Sequence, residues 1–180
     1  MTKIFLDSEF TGLHQKTTLI SLGLMSDLGN TFYAEFTDYD KTQVDDCVQK
    51  NVINSLVLKN WDVEVDYDPY AQNVTVRGNT KENEQPLSHW LDGFKEIEIW
   101  SDCLSYDWVL FNQLFGHAFN LPKNVYYIPF DICTLFKIKG IDPDINREEF
   151  CGLSDSKQKH NSLWDAKVIK ACYEKLMSDK

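Results

Sequence analysis

The sequence predicts an α/β domain built on a mixed β-sheet. Three observations carry that expectation. Three short apolar runs near the N-terminus are joined by short links, strand and helix patterns alternate after them, and a helical segment closes the chain. Residues 3–7 (KIFLD) read as a short, mostly buried strand and residues 18–25 (TLISLGLM) as a second. The turn signal Ser26-Asp27-Leu28-Gly29-Asn30 leads into a third strand, TFYAEF, over residues 31–36. Strands joined this closely form an antiparallel meander.

The middle of the chain is more varied. Residues 42–56 predict a helix, with Val44, Val48, Val52 and Leu56 four apart on one face. Residues 61–77 alternate in places but contain Pro69, which suggests an excursion or a hairpin. Residues 79–86 are polar and loop-like, and residues 87–94 are expected to be helical. EIEIW (96–100) alternates as a strand, and residues 106–119 form an amphipathic helix. Residues 125–130 read as a strand, residues 131–138 as a short helix, and residues 140–152, with Pro143, as irregular. The closing helix covers residues 162–177, with Asn161 or Ser162 as its cap. No repeat or linker divides the chain, so residues 1–180 are expected to form a single domain.

Three constellations carry chemistry. Asp7 and Glu9 lie two apart at the end of the first strand, so both project to one face. Adjacent carboxylates raise each other's pKa, and a divalent cation between them removes that cost. A strand ending in solvated acids would show the same two letters. Asp107 falls in the first turn of the helix after EIEIW, where the helix dipole favours an anion. An ordinary acid near a helix start fits that position too, and Asp102, at the strand's own end, competes for the role. In HNSLWDA, His160 and Asp165 are five apart, about 140° within one helix. His160 is therefore expected on the loop before the helix and Asp165 within it, both reaching one site.

Taken in order, these motifs resemble the DEDDh exonucleases, the superfamily of oligoribonuclease, RNase T and the proofreading subunits of DNA polymerases. FLDSEFTGL is close to that superfamily's D-x-E-x-T-G-L. HNSLWDA is close to its H-x-A-x-x-D-A, with Ser162 where alanine is usual. The set DSEFTGL, YDW and HNSLWDA is most similar to a small single-domain 3′–5′ exoribonuclease family known from mycobacteria. The resemblance implies an RNase H-like fold: a five-stranded mixed sheet, its first three strands antiparallel, with helices on both faces. It implies that Asp7, Glu9, Asp107 and Asp165 hold two divalent cations, Mg²⁺ or Mn²⁺, and that His160 is the general base. It also implies substrate contacts at Phe10, Thr11 and Leu13, around the terminal 3′-hydroxyl and the last base. Phe10 and Leu13 fit a hydrophobic core equally well.

Trp108, beside Asp107, is the tryptophan best placed to stack on a base, ahead of Trp61, Trp90, Trp100 and Trp164. Lys157 and Lys159 could reach phosphates, although a solvated loop explains them as well. The expected partner is single-stranded RNA or an RNA 3′ overhang, with DNA and a homodimer left open.

Composition agrees with this reading. A hydrophobic fraction of 43% supports a core, and the formal net charge of −10 argues against a broad basic face for nucleic acid. Metal ions held by carboxylates reverse the sign locally. Five scattered cysteines with no C-x-x-C pair suggest reduced thiols in a cytoplasmic protein. No run approaches a membrane span in length. Three alternatives remain: a DNA exonuclease, a catalytically inactive relative that binds nucleic acid or protein, and a phosphatase with an aspartate nucleophile. The last would want D-x-D at residues 7–9 and leaves HNSLWDA unexplained.

Overall fold

The computed structural model describes residues 1–58, 71–153 and 160–178. Its centre is β1 (Thr2–Phe10), which pairs antiparallel with β2 (Leu19–Ser26) on one side. On the other side it runs parallel to β5 (Ile97–Ser101). The sheet extends through β3 (Thr31–Phe36) to β4 (Asn73–Gly78) at one edge and ends at the short β6 (Phe130–Asp131) at the other. The order is β4-β3-β2-β1-β5-β6, with β1, β2 and β3 forming the expected antiparallel meander.

The mixed α/β architecture is as expected, but the strand count is six and not five. The additional strand is β4, parallel to β3. Its sequence, NVTVRG, buries alternate residues and exposes the others, as befits an edge. The earlier part of the predicted excursion, residues 59–70 with Trp61, lies outside the described residues.

Alternation along β1 builds a core on each face. Ile4 and Leu6 pack with Leu22, Leu24 and the helices α2 (Thr80–Asp92) and α3 (Leu104–Leu114). Phe5 points the other way, into a layer with α4 (Ile132–Ile138) and α6 (Ser162–Ser178). Helices therefore cover both faces, as expected.

Five segments depart from the sequence reading. Residues 125–130 do not form a continuous strand: only an isolated bridge at Val125 and the start of the two-residue β6 occur there. The other four depart for identifiable reasons. The 42–56 helix is broken: only α1 (Asp46–Asn51) is α-helical, between 3₁₀ turns at Lys41–Gln43 and Ile53–Ser55. Asp45 caps the Val48 N–H at 2.8 Å and so starts a new helix inside the pattern. The 79–86 segment is not a loop, because Asn79 and Glu82 form a reciprocal capping box that starts α2 seven residues before Leu87 despite Pro86. The helix after β5 stops at Leu114, short of Phe119, where Gly116 adopts φ 85°. Within 140–152, α5 (Arg147–Cys151) forms under an Asn146 cap. All five cysteines are free thiols. Among the described residues no helix is long and apolar enough to cross a membrane.

Candidate active site

Asp7 and Glu9 leave the end of β1 on the side covered by α6, the side Phe5 also faces. What brings α6 to them is a pair of small residues. Gly23 of β2 is paired with Asp7, and a Cβ added there would lie 2.2–2.3 Å from backbone atoms of Ser162 and Leu163. The start of α6 thus rests directly on β2. Ser162, fully buried, sits 3.1 Å hydroxyl to hydroxyl from Ser21, which explains how a serine serves where alanine is usual.

Asn161 is the cap: its Oδ1 accepts from the Trp164 N–H at 3.1 Å. Asp165 then lies in the first turn of α6, and His160 lies just before the helix in a left-handed conformation, φ 64°. Histidine visits that region more readily than most residues, and held backbone of this sort gathers at functional sites. His160 Nδ1 is 3.9 Å from Glu9 Oε1.

Asp107 approaches from the opposite face. It sits in the first turn of α3, fully buried, and accepts hydroxyl hydrogen bonds from Ser8 (2.5 Å) and Ser101. Two groups of carboxylates result. Oxygens of Asp7, Glu9 and Asp165 lie within 4.8 Å of one another, and so do oxygens of Asp7, Asp102 and Asp107. Asp7 belongs to both.

This crowding has an electrostatic cost. Burial, followed by the charges of Asp107 and Asp165, raises the Asp7 pKa well above the usual carboxylate range. Burial and then Asp165 push Glu9 up to about 8. Asp107 is pushed up to about 7 by burial, against the lowering effect of the Ser101 and Ser8 hydroxyls. Such carboxylates ionise together at neutral pH when a cation balances them. All-oxygen donors of this kind suit hard divalent ions.

Comparison with known proteins gives the family. The family model described as the 3′–5′ exoribonuclease Rv2179c-like domain matches residues 2–177. The chain belongs to this family. Two similar proteins are the 3′–5′ exoribonuclease Rv2179c of Mycobacterium tuberculosis strain ATCC 25618 / H37Rv and the 3′–5′ exoribonuclease MT2234.1 of strain CDC 1551 / Oshkosh. Each is 25% identical over 138 residues, 77% of this chain and 76% of the relative.

In this member of the Rv2179c-like family the acids open onto a cleft of about 530 Å³. Asp7, Glu9, His160, Asp165 and Phe10 line it, while Asp107 lies beneath its floor. Phe10 stacks on Tyr106 with ring centroids 5.3 Å apart. Leu13 is 73% exposed on the following loop. Thr11 is buried: its hydroxyl donates to Gln43 Oε1 at 2.6 Å and accepts from the Thr18 N–H. The N–H groups of Thr11 and Gly12 are engaged within the loop, by the Thr18 carbonyl and the Thr17 hydroxyl.

Trp108 does not line the cleft. It packs on the core and stacks on Phe111. Lys157 and Lys159 lie outside the described residues. Sequence reasoning missed Arg147, which lines the cleft and sits 3.0 Å from Asp102 as an ion pair. The segment holding it looked irregular, and nothing in N-R-E-E-F announces a site.

Proposed function

We propose that residues 1–180 act as one cytoplasmic, metal-dependent 3′–5′ exoribonuclease domain that releases nucleoside 5′-monophosphates from single-stranded RNA ends. The observation that carries this reading is the meeting of Asp7, Glu9, Asp165 and His160 in one cleft, in a chain of an exoribonuclease family. Asp7, Glu9, Asp107 and Asp165 would hold two Mg²⁺ or Mn²⁺ ions; a carboxylate offers about four lone-pair positions, so the hydroxyls on Asp107 do not use up its capacity. When bound, the ions supply charge neutralisation at the scissile phosphate and at the leaving oxygen.

His160 takes the proton of the attacking water as the new P–O bond forms. The bond from phosphorus to the 3′ oxygen breaks, that oxygen is protonated, and the shortened strand keeps a free 3′-hydroxyl. Phe10, stacked on Tyr106 and facing the cleft, supplies a flat surface for the last base. Leu13, exposed on the loop three residues on, inserts against that base, and the backbone around Thr11 receives the 3′-hydroxyl.

The test is a time course on end-labelled RNA and matched DNA, with free or phosphorylated 3′ ends, in Mg²⁺, Mn²⁺ or chelator. Stepwise loss from free 3′ ends, faster on RNA and abolished by chelator or a 3′-phosphate, is expected. Equal digestion of blocked and free ends would make the enzyme an endonuclease.

A further inference from the structure

The cleft presents an electrostatic problem to its own substrate. Six carboxylates line it: Asp7, Glu9, Asp102, Asp144, Glu148 and Asp165. The chain as a whole carries −10. Among the described lining residues, Arg147 is the sole permanently charged cation. Even with divalent ions bound to some of the acids, an RNA strand must pass the others.

Arg147 is held there loosely for an arginine. Its Nε lies 3.0 Å from Asp102 Oδ2 but is buried without an aligned hydrogen-bond acceptor. Its Nη2 donates to the Cys133 thiol at 3.0 Å, a weak acceptor. A guanidinium has five N–H donors in a rigid fork that matches a carboxylate or a phosphate with two parallel bonds. Here neither partner takes that fork, and about a quarter of the side chain stays exposed to the cleft. A buried charge so poorly matched gains most when a better anion arrives.

We infer that Arg147 is a substrate-binding residue that grips a phosphate of the incoming RNA strand, and that Asp102 holds its guanidinium in place until the strand arrives. The inference rests on the exoribonuclease reading and adds to it a residue outside the five acid and histidine positions. The competing explanation is a structural brace, in which the pair only ties α5 to the end of β5.

The experiment measures binding of a 5′-labelled single-stranded oligoribonucleotide by fluorescence anisotropy, with Ca²⁺ in place of Mg²⁺, across a salt series. Steady-state kcat and KM in Mg²⁺ and thermal melting are measured alongside. For Arg147→Met, affinity is expected to fall about tenfold or more, as for loss of a hydrogen bond to a charged group. The slope of log affinity against log salt should become shallower by about 0.7, the share of one phosphate contact on a single strand. KM should rise more than kcat falls. Arg147→Lys should keep the salt slope but bind more weakly than wild type, because the fork is lost.

Asp102→Asn removes the competitor; because Asp102 also stands within 4.8 Å of Asp7 and Asp107 oxygens, it is compared with wild type in chelator, where no ion enters the comparison, and should bind RNA at least as tightly. An unchanged salt slope in Arg147→Met overturns the proposal. So does an Asp102→Asn variant that weakens binding as much as Arg147→Met, which is the behaviour of a brace. If Arg147→Met does not fold, the other two variants decide: Arg147→Lys must bind more weakly than wild type and Asp102→Asn must not, and Arg147→Lys binding as tightly as wild type overturns the proposal. A wild-type protein that neither binds nor shortens the RNA would instead sink the exoribonuclease reading.

Discussion

The closest backbone approach in the site makes Gly23 the most informative position to perturb. In Gly23→Ala the new methyl would stand 2.2–2.3 Å from Ser162 C and O and Leu163 N, against an ordinary contact of 3.4 Å or more. These are backbone atoms, so no side chain can turn away. The first turn of α6 must retreat by about 1 Å, a shift set by the difference between those contacts. That turn carries Asp165, and His160 stands immediately before it. A displacement of 1 Å at reacting groups can cost about 10²-fold in rate. Overpacking of this kind also destabilises by about 1–3 kcal/mol. Gly23→Ala is therefore expected to melt earlier but still fold, and to lose about a hundredfold in single-turnover rate on RNA under saturating Mg²⁺. Ser162→Ala, which removes only the hydrogen bond to Ser21, should lose far less. A Gly23→Ala enzyme within threefold of wild-type rate would refute the idea that this contact sets the geometry of the site.

Two further outcomes separate the roles of the acids and the histidine. His160→Ala should slow cleavage by about 10²–10⁴-fold, the span for a general base, with metal affinity by calorimetry nearly intact, whereas Asp165→Ala should lose both; more than about a tenth of wild-type kcat in His160→Ala excludes that role. The raised carboxyl pKa values give a stability test in chelator. With Glu9 pushed to about 8, Asp107 to about 7 and Asp7 raised, the folded chain binds more protons than the unfolded one between their ordinary values and about pH 8. Stability of the metal-free protein must then fall as pH rises through that window, by an amount on the order of a few kcal/mol. Scanning calorimetry should show Tm dropping from pH 6 to 8.5, with the increment from added Mg²⁺ growing over the same range. The increment should nearly vanish in Asp7→Asn, whose site lacks the shared carboxylate. A flat or rising Tm in chelator would mean that burial and mutual repulsion do not raise these acids as their positions imply.

The sequence alone determined the elements whose signals are local. Alternation places Asp7 and Glu9 on one face because strand side chains repeat every two residues, and the antiparallel start follows from short links between apolar runs. His160 before a helix and Asp165 inside it follow from helical pitch and from a capping asparagine. The RNase H-like architecture and the family were legible in the same motifs. The sequence could not show β4 as a sixth strand, because an edge strand's partner is chosen by the sheet and not by the strand. Nor could it show α2 beginning at its capping box, where a proline and polar residues outweighed the cap. The approach of α6 to the sheet was also hidden, since it depends on a glycine in β2 meeting a helix start 139 positions later. The pairing of Asp102 with Arg147 across 45 positions was hidden for the same reason. Local periodicity fixes which way a side chain points; which distant residue it meets is decided only when the layers pack, because that depends on shape and charge summed over segments that sequence order keeps apart.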